Sequence, residues 1–207
     1  MINIMKKSLT CIAASIFLSF GVYAATEGVE YQVLPASAQF DAPNTVTKIY
    51  SINCPFCFKY EKAGIPNHKI IPAGSKIEQY HISPKPPFGI EKSTALAIAK
   101  EIKGDQVFKQ VKAEYYNQYH VKKVKFESSD ATINFVLDDL DMTRSEFDKH
   151  AENPKVKALI AEWDQGVAVA NIQGVPAITV NGKYLINTKS ITSMNMLKDL
   201  ITELSAK

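Results

Sequence analysis

The chain has 207 residues, 46% of them hydrophobic and 22% charged, an ordinary make-up for a globular chain that can bury a core. That composition excludes disorder over most of the length. The formal net charge is only +3, and no basic run is interleaved with stacking aromatics, so no nucleic-acid partner is expected.

In chain order, the first feature is an address rather than a structural element. Lys6 and Lys7 precede an almost uncharged apolar run from Leu9 to Val22, and Val22-Tyr23-Ala24 follows. This is the three-part pattern of a secretory signal peptide, with cleavage expected after Ala24. The run is short for a bilayer span, which needs about 20 apolar residues. Cys11 lies inside that run rather than after it, which argues against a lipoprotein. No later segment is apolar enough to span a membrane, so the exported protein is expected to be soluble. Cleavage removes Lys6, Lys7 and Cys11, leaving a nearly neutral chain with Cys54 and Cys57 as its only cysteines.

A short apolar run, Tyr31 to Leu34, is followed by a proline-containing connection. Thr45 to Ile52 is rich in β-branched and aromatic residues and reads as a buried strand. The Cys pair comes next, and residues 58–63 are helix-compatible until Gly64 and Pro66. Ile77 to Ile82 reads as a second central strand, and Ser83 to Gly89, with three prolines, as an irregular connection. From Ile90 to about Val169 apolar residues recur at three- and four-residue spacing, which predicts several helices and no strand. Ser129-Asp130 and Thr143 are candidate caps, the latter with Glu146 as a capping box. One helix is expected from Asn153-Pro154 to about Ala170. Ala177 to Val180, the turn Asn181-Gly182 and Lys183 to Ile186 read as a β-hairpin, and Ser193 to Ser205 as a closing amphipathic helix. Without the helical block, a small α/β domain with a mixed sheet remains.

The chemistry centres on Cys54-Pro55-Phe56-Cys57. A disulfide between residues so near in sequence closes almost no loop and adds little stability, so a structural role explains it poorly. Cys-x-x-Cys where a strand gives way to a helix suits thiol–disulfide exchange instead. The reactive species is the thiolate, so the site must lower a thiol pKa from about 8.5. A helix N-terminus does so with free N–H groups and the positive end of its dipole. Pro55 fits the first turn, where an N–H is not needed. Cys54 is expected to be the exposed nucleophile and Cys57 the buried resolving thiol. A zinc site would need further ligands, yet no third cysteine survives export and His68, His81, His120 and His150 show no paired spacing. These histidines are expected on the surface or in local hydrogen bonds. No metal or cofactor is expected, and neither a G-x-S-x-G elbow nor a phosphate loop is present.

The segments YSINCPFCFKYEK (50–62) and IQGVPAITVNGKYLINTKSI (172–191) resemble the DsbA family of periplasmic thiol-disulfide oxidoreductases, and most nearly its DsbL branch, which has the CPFC centre. The resemblance implies a thioredoxin fold with an inserted all-helical domain: residues 1–24 signal peptide, 25–88 first thioredoxin part, 89–168 helical insertion, 169–207 second thioredoxin part. It implies that Pro176, in Gly174-Val175-Pro176, is a cis-proline facing the Cys pair, with the Val175 backbone left to pair with an extended substrate. It also implies oxidation of exported proteins in the periplasm by a monomer. An inner-membrane protein of the DsbB/DsbI type would reoxidise it, and a client like arylsulfate sulfotransferase would be its substrate. Two departures bear on mechanism. Phe56 stands where DsbA has a histidine, and Lys48 stands six residues before Cys54, where many relatives hold a buried acid. Either Lys48 favours the Cys54 thiolate, or it reaches solvent and covers the strand. The rival functions are a reductase or isomerase, for which no added dimerisation domain is evident, and a thioredoxin-fold peptide-binding chaperone.

Overall fold

The structure, a computed structural model, describes residues 24–207; the expected signal segment before Ala24 lies outside them. Five strands form one mixed sheet in the order β1-β5-β4-β2-β3. They are β1 (Tyr31–Val33), β2 (Thr45–Tyr50), β3 (Lys76–His81), β4 (Ala177–Val180) and β5 (Tyr184–Ile186). β2 is flanked on both edges, pairing parallel with β3 and antiparallel with β4. This is why all six of its residues are buried, and why its composition is β-branched and aromatic rather than alternating.

Helix α1 (Pro55–Lys62) leaves β2 after a four-residue corner. The helical block holds α2 (Gly89–Ile98), α3 (Asp105–Tyr116), α4 (Ser129–Asn134), α5 (Arg144–Ala151), α6 (Pro154–Asp164) and α7 (Gly166–Gln173). Wider π-helical turns at Ala99–Lys103 and Asn117–Val121 follow α2 and α3. α8 (Met194–Ser205) closes the chain. None of the helices among the described residues is long and apolar enough to cross a membrane. One buried cluster joins Ile49 and Tyr50 of β2 to Leu96, Val111, Tyr115 and Trp163 of the helical block. A second joins Val46, Ile178 and Val180 of the sheet to Leu200 and Ile201 of α8.

Caps fix several ends. Thr143 and Glu146 form the expected capping box of α5, and the Ser193 hydroxyl accepts from the Met196 N–H at α8. At α4 the cap is Ser128, whose hydroxyl accepts from the Ala131 N–H; Ser129 is one position too late because its own backbone is already helical. The single helix expected from Asn153 to Ala170 breaks at Gln165. The interruption falls beside Gly166, a poor helix former; a Cβ there would lie 2.9 Å from the Ile49 side chain, so the second helix begins against β2 at a residue with none.

The β4–β5 turn has Asn181 at φ 55° and Gly182 at φ 63°, the left-handed pair that matches strand twist. A Cβ on Gly182 would lie 1.9 Å from the Phe40 carbonyl oxygen. Gly182→Ala is therefore expected to destabilise the protein by about 2 kcal/mol, read as a lowered urea midpoint with unchanged slope.

Candidate active site

Cys54 is the N-cap of α1 and Pro55 its first residue. The corner before it is drawn tight by the Cys54 N–H donating to the Ser51 carbonyl at 3.1 Å. The next full turn brings the Cys57 N–H back onto the Cys54 sulfur at 3.2 Å. Both thiols are free. Cys57 is fully buried. Cys54 is 8% exposed, less open than its expected role as the exposed thiol, because the Val175 loop lies over it. The Cys54 thiol donates to the Val175 carbonyl at 3.2 Å, and the Val175–Pro176 peptide is cis. Phe56 points outward, 61% exposed, with the Lys59 ammonium 5.1 Å from its ring centre.

The two sulfurs have opposite electrostatics. The Cys54 pKa is lowered to about 6. Its hydrogen bond with the Cys57 thiol is the largest cause. The N–H groups of Cys57 and Phe56 and the charge of Lys85 add to it, against the opposing effect of burial. Cys57 is pushed well up, first by burial and then by its bond and proximity to Cys54. The Cys57 thiol, and after it the N–H groups of the helix N-terminus, thus stabilise one anion only, at Cys54.

Beneath α1 lies a buried charge cluster. Lys48 does not reach solvent: its side chain is 3% exposed and its ammonium lies 2.6 Å from the Glu61 carboxylate. Glu61 takes a second lysine, Lys112 of α3, at 2.7 Å, and Lys112 also donates to the Gln79 side chain at 2.8 Å. Burial alone would raise the Glu61 pKa, but the two lysines more than offset it and hold it below the usual range. Lys112 is lowered to about 8, chiefly by burial, with Lys48 also lowering it and Glu61 opposing. The charge of Lys48 acts on Cys57; it is not among the main influences on Cys54.

The helical block also touches the corner directly. His120 is buried, its Nε2 lies 2.6 Å from the Ile52 carbonyl oxygen, and its ring stacks on Phe58 at 5.1 Å and 9°. His81 is buried too, against the Ser93 hydroxyl. Neither is a surface residue, and no group of three or more metal-ligating side chains occurs among the described residues. A cavity of about 450 Å³ opens beside the Cys pair, lined by Phe56, Tyr60, Gln173, Pro176 and Lys189.

The profile of a family described as thioredoxin matches residues 39–199. The thiol:disulfide interchange protein DsbL of Escherichia coli O6:H1 is 34% identical, over 95% of this chain and 94% of its own. The chain belongs to the thioredoxin family, among its thiol:disulfide interchange proteins. DsbA of Salmonella typhimurium is 28% identical over 93% of this chain and 91% of its own. The crystal structure of DsbL from Salmonella enterica serovar Typhimurium superposes with a TM-score of 0.79 at 33% identity, covering 89% of this chain and 99% of that one. The protein is accordingly a thiol:disulfide oxidoreductase on a thioredoxin fold, of the DsbL and DsbA kind.

Proposed function

We propose that this thiol:disulfide interchange protein acts as a dithiol oxidase of exported proteins, with Cys54 as the exchanging thiol and Cys57 as the resolving one. The observation that carries the assignment is the asymmetry of the pair: Cys54 lowered to about 6, Cys57 raised. A substrate thiolate attacks the Cys54 sulfur of the Cys54–Cys57 disulfide. The bond between the cysteines breaks, and its electron pair leaves on Cys57, which takes up a proton in its buried site. A second substrate thiolate then attacks the substrate sulfur of the mixed disulfide. Cys54 leaves as a stabilised thiolate and the substrate keeps the new disulfide. A low pKa makes Cys54 a good leaving group and stabilises the reduced protein, which makes the oxidised form a stronger oxidant.

Pro55 and Phe56 shape the turn between the sulfurs, and the exposed Phe56 ring offers an apolar contact. Val175 and Pro176 form the ledge along which an extended substrate segment would lie. The Val175 carbonyl is held by Cys54 only while that thiol is protonated, and is free to accept from a substrate N–H when Cys54 is a thiolate or joins a disulfide. Lys48 tunes the pair through Cys57, while its bond to Glu61 limits its effect on Cys54. We place the protein in the periplasm, after removal of residues 1–24, as a monomer. Its thioredoxin parts span 25–88 and 169–207, with the helical insertion at 89–168. Reoxidation falls to a DsbB/DsbI-type membrane protein, and the client range includes an arylsulfate sulfotransferase-like enzyme.

The test is to trap the intermediate. Cys57→Ala expressed with its signal should accumulate mixed disulfides on Cys54, identified by mass spectrometry of the periplasmic fraction. Cys54→Ala should accumulate none. Equal trapping by both variants, or none by either, would overturn the assignment.

A further inference from the structure

One fully buried cation has no part in the mechanism so far. Lys92 of α2 has no exposed surface, and no carboxylate pairs with it among the described residues. Its ammonium donates to the Asn53 side-chain oxygen at 2.6 Å and to the Pro87 carbonyl at 2.9 Å. It lies over the rings of Tyr119 and Phe126, at 5.3 and 5.6 Å. Burying a lysine without a counter-ion is unfavourable, and its pKa is lowered to about 8, chiefly by that burial. A methionine would fill the same space without this penalty. What the lysine adds is a pair of hydrogen bonds, one to Asn53 of the active-site corner and one to Pro87 of the segment beside it.

Asn53 is the residue before Cys54. While its oxygen accepts from Lys92, its amide donates to the carbonyls of Pro87 and Lys85, at 2.9 and 3.4 Å. The segment from Pro84 to Pro87 has three prolines, no helix or strand, and is exposed, so these bonds tie it to the Cys corner. It carries Lys85, the one side-chain cation among the main influences on Cys54. Pro84 and Lys85 also line a second cavity, of about 180 Å³, on the Val175 ledge.

We propose that Lys92 is a positioning residue for the exchange reaction: directly at the Pro87 carbonyl and through Asn53 it fixes the Pro84–Pro87 segment so that the Lys85 ammonium stands by Cys54. The inference rests on Cys54 being the exchanging thiol. It predicts a dependence between residues with no direct contact, Lys92 and Lys85, expressed at a third, Cys54.

The experiment is a double-mutant cycle on the alkylation rate of Cys54 against pH, with the modified residue mapped by mass spectrometry. Lys92→Met is expected to raise the Cys54 pKa by about 0.5, a roughly threefold slower alkylation at acid pH. In a Lys85→Gln background the same substitution should change little, because the effect it removes is already gone. Asn53→Ala, which removes the route through Asn53 and leaves only the direct Lys92–Pro87 bond, should shift the pKa in the same direction by less and serves if Lys92→Met fails to fold. A merely structural role would lower thermal stability and leave the pKa where it was. That result, or a shift of the same size with and without Lys85, would overturn the proposal. Alkylation mapping to Cys57 instead would overturn the assignment of the exchanging thiol, a separate failure.

Discussion

Glu61→Gln is expected to destabilise the protein by about 3 kcal/mol, more than any surface charge change could. Glu61 is the only carboxylate shared by Lys48 and Lys112 in the described structure, at 2.6 and 2.7 Å. Both lysine side chains are 3% exposed. An amide keeps the shape and can accept one hydrogen bond, but it leaves two positive charges facing each other under α1. The Tyr50 ring does not compensate, since it already serves both ammonium groups, at 5.3 and 5.9 Å. The structure responds by shedding a proton, so Lys112 should fall below its present value of about 8. A lysine whose folded pKa is depressed binds fewer protons folded than unfolded. The stability of Glu61→Gln should therefore rise with pH between that depressed value and about 10.4, the pKa of an unfolded lysine. Urea denaturation of both proteins across this range measures it. Adding Lys48→Met to Glu61→Gln should recover part of the loss by removing one of the unpaired charges. An unchanged midpoint in Glu61→Gln would show that the cluster does not hold α1 to the sheet.

This cluster shows where the sequence stopped being readable. Thr45 to Tyr50 declares itself a buried strand by its β-branched and aromatic residues, and the Cys pair that follows it declares its chemistry by spacing. The hairpin of β4 and β5 is announced by Asn181-Gly182, α5 by its capping box and α8 by its amphipathic pattern. Lys48 is different. Its position in a buried strand is evident, but the fate of its ammonium depends on residues 13 and 64 positions later, which only the fold brings together. One signal was present and unused. Lys92 stands three and four residues before Ala95 and Leu96, and Lys112 four after Phe108 and three and four before Tyr115 and Tyr116. Each lysine therefore occupies an apolar position of a helical repeat. A lysine on the buried stripe of a helix needs a partner inside, and here the partners are Asn53 and Glu61, one on each side of the Cys pair. Gly166 carried no comparable signal: nothing in the run around it shows that Ile49 would stand 2.9 Å from its missing side chain.

The thiolate at Cys54 ties this architecture to function through stability. With a folded pKa of about 6, Cys54 is about 90% ionised at pH 7, against about 3% for a thiol titrating near 8.5. Iodoacetamide should thus alkylate it at a nearly constant rate above pH 7, with the rate halved near pH 6 and falling tenfold per pH unit below. The same shift makes the reduced protein more stable. An acid with a depressed folded pKa binds fewer protons folded than unfolded between the two values, so its contribution grows as pH rises from about 6 to about 8.5 and is lost below 6. At pH 7 it amounts to about 1 kcal/mol. Cys57 acts in the opposite direction: raised by burial, it penalises the reduced fold once an unfolded thiol would ionise, above about pH 8.5. The oxidised protein has no thiol to titrate. The stability of the reduced form minus that of the oxidised form should therefore rise from pH 5, pass through a maximum near pH 8–9, and decline beyond it. Paired urea denaturations of the two redox states would trace this curve. A gap independent of pH would mean that the helix N-terminus does not set the oxidising power of the pair, whereas a maximum in that range would locate the driving force for disulfide donation in the hydrogen bonds that Cys54 receives from Cys57 and Phe56.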